Sequence, residues 1–295
     1  MNNKNDYKAG LTSALVCGVL WGIFPIYWNA LKPIDSFVII LYRIGLMSLL
    51  CLAICWYRYG LKQAFRPMFE STRSFFLYFT AGIIITINWS IYILAINGGY
   101  VIQTSMGYFL EPLIVCLFGI VFYHEKVNRF KKIAMGFAIF GLLVMIIGYQ
   151  QFPIVASGLG FSFAVYAAVK KRITIDPLQS LLLETIFIMP ITLSLIFYLE
   201  LHGMGAIATG GHSRFILILF SGLVTGFPLA LFSFAASHLP LVTLGLTDYV
   251  SPSLSLIVGI FILKEKFDVI QFIAFMFIWI GLIFFTYGEV KEQRQ

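Results

Sequence analysis

Long unbroken apolar runs constrain this chain more than any other feature. Residues Ile133 to Gly148 contain no charged side chain, and comparable runs recur along the 295 residues. One such run could hide in a soluble core, but many of them leave too little polar side chain to cover the outside. Hydrophobic residues make up 60% of the chain and charged ones 11%, against about half and about a quarter in a soluble domain. The same hydrophobicity excludes disorder. A membrane barrel would show short alternating stretches instead of continuous ones. The chain reads as an all-α integral membrane protein.

A helix needs about 20 apolar residues to cross a bilayer. Ten candidates satisfy this, at 10–30, 35–57, 74–97, 101–123, 131–148, 153–170, 178–199, 214–237, 241–263 and 268–288. Gly98-Gly99-Tyr100 and His238-Leu239-Pro240 are short enough to make tight hairpins. The first run is read as a retained span, because no small-residue cleavage site follows it. With the N-terminus inside, fifteen Lys and Arg fall in inner segments and four, Lys32, Arg214, Lys264 and Lys266, in outer ones. That asymmetry predicts two cytoplasmic termini. It also accounts for the net charge of +7 without nucleic acid, for which a basic stripe interleaved with aromatics is missing.

Sliding the chain by 140 residues superimposes Gly82–Gly148 on Gly222–Gly288 without a gap, with thirteen identities in 67 positions. They include Pro112/Pro252, Gly119/Gly259, the pairs Glu125-Lys126/Glu265-Lys266, Ala134/Ala274, Gly141/Gly281 and Gly148/Gly288. Residues 1–150 and 151–295 are therefore predicted to be two five-helix repeats. Five is odd, so the second enters the membrane in the opposite sense. Inverted repeats are the mark of alternating-access transporters, whose binding sites lie between the halves near the midplane.

Ionisable groups inside a span are costly and point to function. Four are expected there: Arg43, Glu111, Glu184 and Asp248. An offset of 141 relates Arg43 to Glu184, so the two are expected to meet as an ion pair near the pseudo-two-fold axis. The alternatives are a purely structural pair or an Arg43 that reaches headgroups. The 140 offset matches Glu111 with Ser251 and Tyr108 with Asp248. Each half then offers one carboxylate and one hydroxyl at i and i+3, followed by a proline, Pro112 or Pro252, that loosens the helix as a hinge. Glu111 and Asp248 are expected to carry protons or to pair with an ammonium group; a hydrogen-bonded packing role is the alternative. Asn88, Trp89 and Tyr92 either line a cavity or link helices. Glu125-Lys126 and Glu265-Lys266 read as interfacial anchors in water. Cys17, Cys51, Cys55 and Cys116 lie in apolar runs and read as small core side chains.

No hydrolase, zinc-protease or P-loop motif is present, so an enzyme, a nucleotide, a cofactor and a metal are not expected. Residues 14–25 (ALVCGVLWGIFP), 107–113 (GYFLEPL) and 158–170 (GLGFSFAVYAAVK), with Asn88-Trp89 and Leu183-Glu184-Thr185, resemble the EamA family of the drug/metabolite transporter superfamily. The resemblance implies ten helices in a bacterial inner membrane and export of small metabolites or drugs. It places Arg43, Asn88, Trp89, Tyr108, Glu184 and Tyr249 on the family pattern. Glu111 and Asp248 depart from it, since an amide is expected at each. Two added carboxylates suit a cationic or zwitterionic cargo. The leading expectation is a secondary exporter of a small amphipathic metabolite, amino-acid-like and driven by protons. A passive facilitator and a membrane scaffold or sensor are the alternatives.

Overall fold

The computed structural model describes residues 4–97, 101–150, 153–264 and 268–294. The expected hairpin at Gly98-Gly99-Tyr100 and the pair Glu265-Lys266 lie outside them. Every regular element in the described residues is a helix. The first five are α1 (Lys4–Ala30), α2 (Ser36–Phe69), α3 (Thr72–Asn97), α4 (Val101–Tyr123) and α5 (Arg129–Tyr149). Next come α6 (Ile154–Lys171), α7 (Pro177–Thr185), α8 (Met189–Leu201) and α9 (Ala206–Leu219). The last are α10 (Ser221–His238), α11 (Leu241–Asp248), α12 (Val250–Phe261) and α13 (Val269–Arg294). Among the described residues nine stretches are long and apolar enough to cross a membrane; α7 and α8, bent by 65°, make a tenth if taken as one span.

The breaks have local causes. Pro190 lies in the first turn of α8; it lacks the N–H that would continue α7 and disfavours helical geometry at Met189. The second span was expected to end at 57, but helix continues to Phe69 after a change of direction at Gly60 (φ +73). The eighth was expected from 214, but helix begins at Ala206 and turns at Gly211 (φ +70). A side chain would be strained at either angle, and glycine is not. The ninth span is α11 and α12 joined at Tyr249. Pro252, in the first turn of α12, cannot donate to the Asp248 carbonyl. Its repeat mate Pro112 sits inside an unbroken α4.

Two-fold symmetry is visible where α5 crosses α13. A Cβ on Gly141 would lie 2.8 Å from the Ala274 carbonyl oxygen, and one on Gly281 would lie 3.0 Å from that of Ala134. Gly148 meets Ile270 as Gly288 meets Phe130. Each contact is its partner's image under the 140-residue offset. The order of contacts is antiparallel, so the repeats are inverted. Elsewhere the halves interlock: α1 packs on α10, α11 and α12, while α6 packs on α3 and α4. Both termini lie at one end of the bundle. Tyr7, near the start of α1, hydrogen-bonds to Glu289, near the end of α13. Lys131 Nζ, at the start of α5, stands 2.7 Å from the same carboxylate.

Candidate functional site

Arg43 lies on α2 in an aromatic cage. Its guanidinium carbon is 4.5 Å from the ring centre of Trp28 and 5.7 Å from that of Trp89. Its Nε donates to Thr225 Oγ1 at 3.1 Å. Tyr27, Tyr92 and Tyr108 stand within electrostatic reach. Ring faces hold a guanidinium by their quadrupoles, but they leave its charge uncompensated. Among the described residues no carboxylate is within ion-pair distance of it.

The expected Arg43–Glu184 pair is therefore not formed. Glu184 accepts from Lys170 Nζ at 2.5 Å, Ser180 Oγ at 2.5 Å and Tyr166 OH at 3.0 Å. Both ends of this ion pair are fully buried. A buried carboxylate needs a cation nearby, and Lys170 is nearer than any group across the bundle. Lys170, the last residue of the expected sixth span and counted with the inner cations, is the penultimate residue of α6. Its face was legible, since Phe163 and Tyr166 precede it by seven and four residues. Lys131 is likewise buried with Glu289, and not a loop cation. Thirteen of the cations counted as inner still oppose the four counted as outer.

A second charged region lies on α4 and α11. Glu111 is partly exposed on α4, and Asp248 is buried at the end of α11. The two are within electrostatic reach of each other. Asp248 Oδ2 has no hydrogen-bond partner, and an unmet buried carboxylate oxygen is costly. The ring hydroxyl of Tyr108 meets Tyr92, and both Glu111 and Arg43 are within its electrostatic reach. The candidate residues thus comprise an uncompensated cation, two neighbouring carboxylates and a tyrosine, Tyr108, within electrostatic reach of both Arg43 and Glu111.

The other expected site residues have definite places. Asn88 gives its amide to the Leu159 carbonyl and to Ser162 Oγ, both at 2.9 Å; it links α3 to α6. Trp89 contributes to the Arg43 cage. Tyr249 is buried and donates to the Phe109 carbonyl at 2.7 Å, so it fixes the end of α11 on α4. Ser251 lies where α12 passes α1, with its carbonyl 3.1 Å from a Cβ placed on Gly22. Trp28 and Thr225 were missed, because neither is charged or matched by the repeat. Glu125, read as an anchor in water, is largely buried and accepts from the backbone of Leu241 and Val242.

Residues 8–147 match the EamA-like transporter family, and residues 153–287 match it a second time. The chain belongs to the EamA-like transporter family. It is a transporter and not an enzyme. It is 33% identical over 292 residues to the uncharacterized transporter YojE of Bacillus subtilis, covering 98% of this chain and 97% of that one. Protein RarD of Streptomyces exfoliatus is 30% identical, with 100% and 93% covered. A crystal structure at 13% identity superimposes with a TM-score of 0.70 over 94% of this chain and 96% of the other. That likeness speaks for the fold alone.

Proposed function

We propose that this EamA-like transporter exports a small zwitterionic metabolite of amino-acid type across the bacterial inner membrane by alternating access, with both termini cytoplasmic. One observation carries the reading. Arg43 has no counter-carboxylate among the described residues, Tyr108 is within electrostatic reach of both Arg43 and Glu111, and Asp248, within reach of Glu111, keeps an oxygen without a partner. A cargo with a carboxylate and an ammonium group supplies both missing partners. Trp28 and Trp89, which flank Arg43, accept the cargo's apolar part. Glu111 and Asp248 can exchange a proton for the cargo's ammonium group, which makes the transport an antiport. The excess of Lys and Arg at the end carrying the termini supports the orientation.

Uptake into everted vesicles tests this. Losing a hydrogen bond to a charged group costs on the order of tenfold or more in affinity. Arg43→Gln should therefore weaken uptake of an amino acid about tenfold or more and spare the amine that lacks the carboxylate. Asp248→Asn should weaken both. Glu111→Gln should abolish gradient-driven accumulation but leave exchange. Variants that treat acid and amine alike would refute the recognition scheme. Uptake indifferent to a proton gradient would make the protein a passive facilitator.

A further inference from the structure

We propose that Glu125 is a positioning residue for transport, a latch that holds the bundle shut at the end carrying the termini. The proposal rests on alternating access. Helix α11 begins at Leu241 directly after Pro240 and has no side-chain cap of its own. Its first N–H groups are therefore unpaired within the helix. Glu125 supplies the cap from beyond the end of α4, in the other repeat. Oε1 accepts from Leu241 N at 2.7 Å and Oε2 from Val242 N at 2.9 Å. A carboxylate at a helix start is favoured by both charge-assisted hydrogen bonds and the helix dipole. Lys171, at the end of α6, holds the arrangement: its Nζ lies 3.3 Å from Glu125 and donates to the Leu239 carbonyl at 2.5 Å.

The latch closes a longer seam. A Cβ on Gly119 would lie 3.0 Å from the Leu241 Cβ, and one on Gly245 would lie 2.6 Å from the Pro112 carbonyl oxygen. Cys116 Sγ donates to the Val242 carbonyl at 3.5 Å, and Tyr249 closes the seam on Phe109. So α4 is packed along α11, whereas it has no comparable face on α12 among the described residues. The fourth and ninth spans meet at one end of the bundle and part toward the other. Access from the end carrying the termini requires this seam to open, and Glu125, with Lys171 beside it, makes the charged contact within it. Once opened, carboxylate and helix start are both hydrated, so the latch biases the closed state without locking it. Asp248 ends the same eight-residue helix that Glu125 caps. Cargo or proton at one end of α11 and the latch at the other therefore act on one rigid element.

Cys116 is a native reporter, buried against α11. In a chain with Cys17, Cys51 and Cys55 replaced by alanine, N-ethylmaleimide alkylation of Cys116 measures how often the seam opens. Glu125→Gln should accelerate that alkylation about tenfold, the usual weight of a lost charged hydrogen bond. Lys171→Gln should act in the same direction and less strongly. In a companion chain that keeps only Cys51, in the core of α2, Glu125→Gln should leave the rate within about twofold. Unchanged Cys116 rates in both variants, or equal acceleration at Cys51 and Cys116, would overturn the latch. The measurement needs no cargo, so it stands or falls separately from the substrate proposed above.

Discussion

Lys170 and Glu184 have no access to water, and each is the other's only full counter-charge among the described residues. Removing one partner of such a pair costs about 3–5 kcal/mol, while replacing both by apolar groups is often neutral. Lys170→Met should therefore destabilise the protein by about that amount, and Lys170→Met with Glu184→Leu should recover most of the loss. Unfolding in a detergent titration measures both. Arg43 is the opposite case: it is held by rings and a hydroxyl, and is left electrically open. The two charges thus differ in their partners, a difference that membrane depth does not show. Depth alone put Arg43, Glu111, Glu184 and Asp248 in one class. Hydropathy hid Lys170, because a lysine at the end of an apolar run looks like the start of a loop.

Element positions were legible from apolar length, but their breaks were not. A hydropathy window averages over Gly60, Gly211 and Pro190, so it sees one span where the backbone turns. Close packing was legible only through glycine. Gly141 faces the Ala274 carbonyl oxygen with no room for a Cβ, whereas Gly136, on the same helix, has nothing within 4 Å of one. Gly141→Leu must push α13 away and should lower stability by at least the 1–3 kcal/mol of an overpacked core. Gly136→Ala should be neutral or stabilise by up to about 1 kcal/mol, from helix propensity. Thermal unfolding of the two purified variants checks the contrast. Equal melting temperatures would mean that the helix pair yields easily.

For the whole molecule, the repeat relation coincides with a contact at one pair of helices and not at another, for one reason. A symmetry operation relates residues, but mates touch only where the axis passes between them. It passes between α5 and α13, so Gly141 and Gly281 find each other's helices. It does not bring Arg43 to Glu184, which settles with Lys170 on α6. Orientation in the membrane is a property of the whole chain and follows from its cations. Reporter fusions at Lys62, Lys126 and Thr174 should read cytoplasmic, and fusions at Lys32 and Gly203 periplasmic; reversal at any two overturns the orientation. The crossing of α5 and α13 has a consequence for ancestry. At the crossing itself Gly141 and Ala134 of one half are answered by Gly281 and Ala274 at the same places in the other. A gene of half the length, whose product entered the membrane both ways up, would already have paired with itself through this surface. Fusion of two copies would then have had to invent no interface, only to settle which copy faced which way.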